Sequence, residues 1–434
     1  MNDQIYQRVR IVVLSGLLAG AGAAWAEPKE IASSLTLDQM VSAALTENAQ
    51  LHSMRAKWEA MRERPVQATT LPNPMFKYGG MDMTDGGTWP NTNEKRFMVE
   101  QEFPWAGKLG LRGKVATKEA EAMQREYEAM VREVIMMVKE NYFDLYAVQR
   151  SLSITRTEED VLKRMEQIAQ TKYGVGEVTQ QDVLKAQAEI SMLKQQLYEL
   201  EQQEVVLKAK LNQLLNRRAD SSLGLAVTEP QRELQFKAEE LFGLAEKMRP
   251  EIKKAQADIQ RNQYDRDLMK KEFFPDYRLG VEYRNFGDSP NMVMFTVGFD
   301  LPIWQKKYKA GVRQAEKMIE SSKAGLEAVQ KQTSFDVQDA YFKLATARRT
   351  LDLYKTALIP QAEARYKASE AGYRTGKVDF MDLLESQRFL LNARVMAAMA
   401  EGNVGMQLGR LERAVGTDLK PVEQPVQPLP QTKE

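Results

Sequence analysis

The sequence predicts a mainly α protein with a small β part, built as two copies of one unit: a strand pair followed by a long helical hairpin. Three observations predict it. The stretch Tyr173-Gly174-Val175-Gly176-Glu177-Val178-Thr179-Gln180-Gln181-Asp182-Val183-Leu184 returns as Tyr373-Arg374-Thr375-Gly376-Lys377-Val378-Asp379-Phe380-Met381-Asp382-Leu383-Leu384, with Tyr, Gly, Val, Asp and Leu at a constant offset of 200 residues. Each copy lies between two long charged stretches of helical period, so its glycines read as the sharp turn of a hairpin. Four short segments near prolines alternate apolar and polar residues with period two, as strands do.

In chain order, residues 1–26 carry Arg8 and Arg10, the apolar run Ile11 to Ala19, and Ala24-Trp25-Ala26, the pattern of a secretory signal peptide cleaved after Ala26. No cysteine follows the run, so an N-terminal lipid anchor is not expected. The first unit, 27–220, opens with a helix from about Leu35 to Arg64, with Leu37, Met40, Val41, Ala44 and Leu45 on one face. Thr36 and Gln39 form its capping box, and Pro65 reads as its stop. Strands follow over 75–83 and 97–103, joined by the polar loop Asp85 to Asn93, then helices over 108–173 and 178–215. At 1.5 Å per residue the first of these is roughly 100 Å long. The return helix has a seam of Ile190, Leu193, Leu197, Leu200, Leu207, Leu211 and Leu214, with Glu204 at one seam position.

The second unit, 221–416, repeats the plan: a helix over about 236–271, strands over 276–284 and 293–301 joined by a loop from Phe286 to Asn291, and helices over 305–372 and 378–415. Phe274-Pro275-Asp276 mirrors Leu71-Pro72-Asn73, and Leu301-Pro302-Ile303-Trp304 mirrors Phe103-Pro104-Trp105. The proline-rich segment 417–434 is too poor in apolar residues to pack.

Composition excludes several functions. The 61 basic and 60 acidic residues balance, so the chain offers no field for nucleic acid. With no cysteine and one histidine, His52, there is no thiol chemistry, disulfide or cysteine-ligated metal, and His52 reads as a surface or packing residue. Gly107-Lys108-Leu109-Gly110 lacks the spacing of a phosphate loop and reads as a helix start. No nucleophile, base and orienter converge, so neither an enzyme nor a cofactor is expected. No segment past the leader offers about 20 apolar residues, so no membrane-spanning helix is expected.

The strands point elsewhere. Tyr277, Leu279, Val281 and Tyr283 alternate with Arg278, Gly280 and Glu282, and Phe295, Val297, Phe299 and Leu301 alternate with Thr296, Gly298 and Asp300. One face is apolar and the other small or charged. Such a dyad fits a sheet with lipid outside and water inside, or a sheet half buried on a soluble core. Four strands leave nothing obvious in the sequence to cover the apolar faces, and cannot alone close a barrel around a water path. Three copies would supply twelve.

Duplicated strand and helix hairpins, a leader, proline-bracketed strands and the repeated turn together resemble the TolC family of outer-membrane efflux proteins, over roughly Leu35 to Gly416. Leu71-Pro72-Asn73-Pro74 and Phe103-Pro104-Trp105-Ala106-Gly107-Lys108 are similar to the branch that works with heavy-metal resistance pumps. The resemblance implies a homotrimer: a twelve-stranded β-barrel in outer-membrane lipid, continued by an α-helical tunnel through the periplasm. It also implies an inner-membrane RND-type pump and a periplasmic adaptor, met by the tips Gly174, Val175, Gly176, Glu177, Arg374, Thr375, Gly376 and Lys377. The family's closed tip is held by acids and a polar network, which here match Asp382 and Glu385, Tyr373, and its first-repeat partner Asp182. Val378 stands where the family has a basic link, with Lys377 beside it. The implied cargo is heavy-metal cations; drugs, or a protein in type I secretion, are the alternatives. A periplasmic coiled-coil scaffold, which would share the leader and helices, is the reading from another class. Met75, Met81, Met83 and Met98 near the strands invite a metal relay, though methionine also fills helix interfaces, which is the reading preferred here.

Overall fold

A computed structural model describes residues 34–81, 94–227, 237–287 and 289–419. The leader, the loop from Asp85 to Asn93, Met83 and nearly all of the proline-rich segment lie outside these residues. In chain order the elements are β1 (Ser34–Leu35), α1 (Leu37–Glu47), α2 (Ala49–Arg62), α3 (Arg64–Thr69), β2 (Met75–Met81), β3 (Glu94–Phe103), α4 (Lys108–Gly174) and α5 (Gln180–Leu214). The second half repeats them as β4 (Leu225–Ala226), α6 (Ala238–Met248), α7 (Pro250–Lys271), β5 (Asp276–Phe286), β6 (Ser289–Asp300), α8 (Gln305–Leu353), α9 (Ile359–Arg374) and α10 (Phe380–Val415). Among the described residues no helix is long and apolar enough to cross a membrane.

The capping box at Thr36 forms: its Oγ1 accepts from the Gln39 N–H at 3.4 Å, and Gln39 Oε1 accepts from the Thr36 N–H at 3.3 Å. The early helices depart from the expected single rods. Asn48 breaks the first, because its side chain accepts from the Gln50 and Leu51 N–H groups and so starts α2. Pro65 does not stop the helix; it sits in the first turn of α3, where its missing N–H costs nothing. Arg249 breaks the corresponding helix of the second unit, since Pro250 disfavours helical backbone at the residue before it and then opens α7.

α4 runs unbroken for 67 residues. The expected 305–372 helix does not: residues Tyr354–Leu358 form one π turn, in which the Ile359 N–H reaches back to the Tyr354 carbonyl. Pro360 follows, and a wider turn is how a helix absorbs a residue without a donor. In the α5 seam, Glu204 takes hydrogen bonds from Gln149 at 3.0 Å and Lys208 at 2.7 Å, which explains a carboxylate in an apolar row. α10 lies very close to α4: a Cβ on Gly405 would fall 2.4 Å from the Phe143 ring, and one on Gly402 2.6 Å from the Phe143 carbonyl oxygen.

The strands form one antiparallel sheet in the order β2-β3-β5-β6. β5 and β6 run further than expected, so most of the segment expected as a loop between Phe286 and Asn291 is strand. Its register confirms the dyad. Tyr78, Phe97, Tyr283 and Val293 form one cross-strand row; Phe76, Val99, Val281 and Phe295 the next; Phe103, Tyr277 and Phe299 another. Among the described residues no core covers this face: Phe295 is 78% exposed and Val297 62%. The opposite face is charged and internally paired, with Arg278 joined to Asp300 at 2.8 Å and Arg284 to Glu282 at 2.7 Å.

The proline motifs of the two units meet at the junction of sheet and helices. Trp105 stacks on Phe274 at 5.3 Å, and its backbone N–H donates to Asp276 Oδ1 at 2.6 Å. Gly107, at φ +90°, turns the chain so that Lys108 is buried against Glu272 (3.2 Å) and Asp276 (2.9 Å). A helix start, rather than a phosphate loop, is what Gly107-Lys108 provides.

Candidate functional site

The repeated turns are the same object twice. In the first, the Glu177 N–H donates to the Lys172 carbonyl at 2.9 Å and the Gly176 N–H to that of Tyr173 at 3.0 Å. In the second, Lys377 donates to Gly372 at 2.9 Å and Gly376 to Tyr373 at 3.3 Å. This is the Schellman pattern, and it needs a left-handed residue, supplied by Gly176 at φ +80° and Gly376 at φ +72°. The flanking tip residues Val175, Glu177, Arg374 and Lys377 are solvent-facing or nearly so.

The second turn has more chemistry than the first. Tyr373 is buried and packs on Phe380 at 5.6 Å, whereas Tyr173 is exposed. Lys172 crosses from the first turn, with Nζ 4.8 Å above the Tyr373 ring and 3.5 Å from both the Tyr373 carbonyl and Glu177. The tips are therefore tied together by a residue that the sequence did not single out. Burial, followed by the charges of Asp182 and Glu177, holds the Tyr373 phenol above its ordinary pKa. The expected bond between Tyr373 and Asp182 is not formed. The Tyr373 hydroxyl is buried and has no hydrogen-bond partner among the described residues, and Asp182 faces Lys185 at 3.9 Å. Val378, where the resembled family has a base, packs on Gly372 instead: a Cβ there would lie 2.4 Å from Val378 Cγ2.

Asp382 and Glu385 share the exposed side of α10, as their spacing predicts. Asp382 gives its N–H to the capping carboxylate of Asp379 at 2.8 Å, and Glu385 is paired with Arg365 of α9 at 3.2 Å. Of the four residues, Tyr373 is buried, Asp182 half-buried, and Asp382 and Glu385 face solvent.

A groove of about 980 Å³ runs between α4, α9 and α10 just above the turns, and holds a group that sequence reasoning missed. Glu158 is 3% exposed and accepts from Gln387 Nε2. Burial raises its pKa to about 7, against the pull of Arg394 and Arg164. Gln387 Oε1 and Thr155 Oγ1 are buried and take no hydrogen bond among the described residues. A protonated Glu158 would add a donor beside two groups in want of one. The signal was available, since Ser151, Thr155, Glu158, Leu162, Met165 and Ala169 form one buried stripe of α4. Among the described residues no cluster of three His, Asp or Glu side chains forms a metal site.

The outer membrane efflux protein family matches residues 40–217 and 241–417. The cobalt-zinc-cadmium resistance protein CzcC of Cupriavidus metallidurans is 24% identical over 399 residues, covering 90% of this chain and 92% of CzcC. TolC of Escherichia coli is 28% identical over 32% of this chain and 28% of its own. Among solved structures, the outer-membrane channel OprN superposes with a TM-score of 0.77 at 17% identity, over 88% of this chain and 89% of OprN. CusC gives 0.76 at 16% identity, over 88% and 92%. The family match falls on the two halves that the turn repeat defines. The chain belongs to the outer membrane efflux protein family, as an outer-membrane efflux channel built from one duplicated unit.

Proposed function

We propose that three copies of this chain close a twelve-stranded barrel and a helical tunnel, and that the trimer is the exit duct of a tripartite pump whose cargo is heavy-metal cations. The observation that carries the reading is the sheet. Its outward face is apolar and exposed, its two edge strands lack partners among the described residues, and a bilayer with two neighbouring copies would satisfy both. A soluble scaffold would have no use for such a face. The metal cargo is supported by the match to CzcC over nearly its whole length. In this reading an RND-type pump and a periplasmic adaptor meet the tips at 174–177 and 374–377, and the leader is removed after Ala26.

Asp382 and Glu385 would ring the constriction, six carboxylates in a trimer, favouring cations and repelling one another as the tip opens. Tyr373 and Asp182 would set how the two hairpins sit. In a planar bilayer, Asp382→Ala with Glu385→Ala is expected to lower cation selectivity or change conductance; an unaltered channel would remove the gate assignment. For the cargo, a deletion strain is grown on Cu, Ag, Zn, Co, Cd and Ni salts beside lipophilic drugs. Selective metal sensitivity restored by the intact gene is expected. Broad drug sensitivity would overturn the metal reading, and recovery from the soluble periplasmic fraction would overturn the duct.

A further inference from the structure

The methionines of the sheet are not distributed as packing residues would be. The outward face carries aromatic and aliphatic rows such as Phe76, Val99, Val281 and Phe295 and, among the described residues, no methionine. Among the described side chains the charged face carries four. Met75 shares a cross-strand row with Glu100, Gly280 and Thr296; Met98 and Met294 share the next with Lys77 and Glu282; Met292 shares the third with Gly79, Arg96 and Arg284. Three successive rows of the polar wall thus each hold a thioether. If these residues only filled space they would be covered, yet Met75 is 49% and Met292 48% exposed. Met98 leans across Gly280, where a Cβ would come within 3.0 Å of its methyl carbon.

The rest of that wall argues for soft rather than hard ligands. Its carboxylates are taken up by its own cations: Glu94 by Arg96 at 2.7 Å, Glu282 by Arg284 at 2.7 Å, Glu102 and Asp300 by Arg278 at 3.5 and 2.8 Å, and Glu100 by Lys77 at 3.8 Å. A divalent ion that prefers oxygen or imidazole finds no vacant cluster among the described residues. The thioether sulfurs remain, and they bind d¹⁰ monovalent cations well and hard ones poorly. Resting on the channel reading above, in which this face lines the water path, we propose that the inner wall of the barrel is a thioether lining that binds Ag(I) and Cu(I) weakly and in succession. Weak, repeated sites suit a conduit, since an ion must be able to leave each one.

The test is Ag(I) in a planar bilayer with potassium nitrate as electrolyte, on the full-length trimer and on a variant carrying Met75→Leu, Met98→Leu, Met292→Leu and Met294→Leu. The chain has no cysteine, and His52 lies on α2 away from the sheet, so thiols cannot account for a response. Ag(I) is expected to reduce the parent's potassium current reversibly, with the reduction lost in the variant and no such difference produced by Zn(II). An equal Ag(I) response in both proteins, or none in either, would overturn the lining while leaving the channel standing. A parent that passes no current would sink both readings. Should the fourfold variant fail to form channels, the four single variants are compared. Each is expected to lose part of the response, and four undiminished responses would overturn the proposal.

Discussion

Glu158→Gln replaces a carboxyl that burial holds neutral up to about pH 7 with an amide of the same shape. Its pKa stands at about 7 in the folded chain against an ordinary 4.5. Between those values the native state holds a proton that the unfolded chain has released. The contribution is therefore full below about 4.5 and is lost as pH rises through about 7. The span of 7 − 4.5 pH units, at about 1.36 kcal/mol each, comes to about 3 kcal/mol per chain. Other carboxyls with raised values, Asp144, Asp265 and Glu412, are common to both proteins. The difference between parent and variant thus isolates Glu158. The assay is the midpoint of thermal unfolding of the detergent-solubilised protein, followed by helical circular dichroism from pH 5 to pH 8. The two proteins should be about equally stable at pH 5, and the variant the more stable at pH 8. Parallel curves, or a variant weaker at pH 8, would refute the neutral carboxyl and with it the role of Gln387 as its partner.

Other outcomes follow from the turns and the sheet. Gly376→Ala places a side chain at φ +72° with no neighbouring atom in the way, so the cost is backbone strain of about 1–2 kcal/mol, readable as a lower midpoint of thermal unfolding with the fold retained. Val281→Lys puts a charge in the middle of the apolar face and is expected to cost about 2–4 kcal/mol at the bilayer midplane, seen as reduced recovery in the outer-membrane fraction. Glu282→Gln, on the facing row of the charged wall, frees Arg284 from its 2.7 Å partner and should shift ion selectivity toward anions without loss of assembly.

The features legible in the sequence are those set by local rules and exposed twice by the duplication. Gly176 and Gly376 mark Schellman turns because a left-handed backbone is needed there, whatever the surroundings. The strand dyad is legible because period two survives any tertiary context, and the 3-residue spacing of Asp382 and Glu385 puts them on one side of a helix. What stayed hidden depends on a second element arriving. Arg365 reaches Glu385 only because α9 lies beside α10, and Lys172 reaches Tyr373 only because the two hairpins touch. The helix breaks at Asn48 and Arg249 were hidden differently. Their signals, an Asx cap and a residue before proline, are present in the sequence but were outweighed by unbroken helical period on both sides. The π turn follows the same logic, because Pro360 was read through rather than read.

The edges of β2 and β6, unpaired among the described residues, have a genetic consequence. In the proposed trimer each chain supplies a third of the barrel, so every defect in it is shared with two neighbours. In a cell making equal amounts of sound and edge-damaged copies, random assembly into rings of three would leave about one eighth of the rings wholly sound. Alleles that damage β2 or β6 but spare the helices should therefore behave as dominant. Alleles that prevent the chain from folding at all should be recessive, because their products never enter a ring.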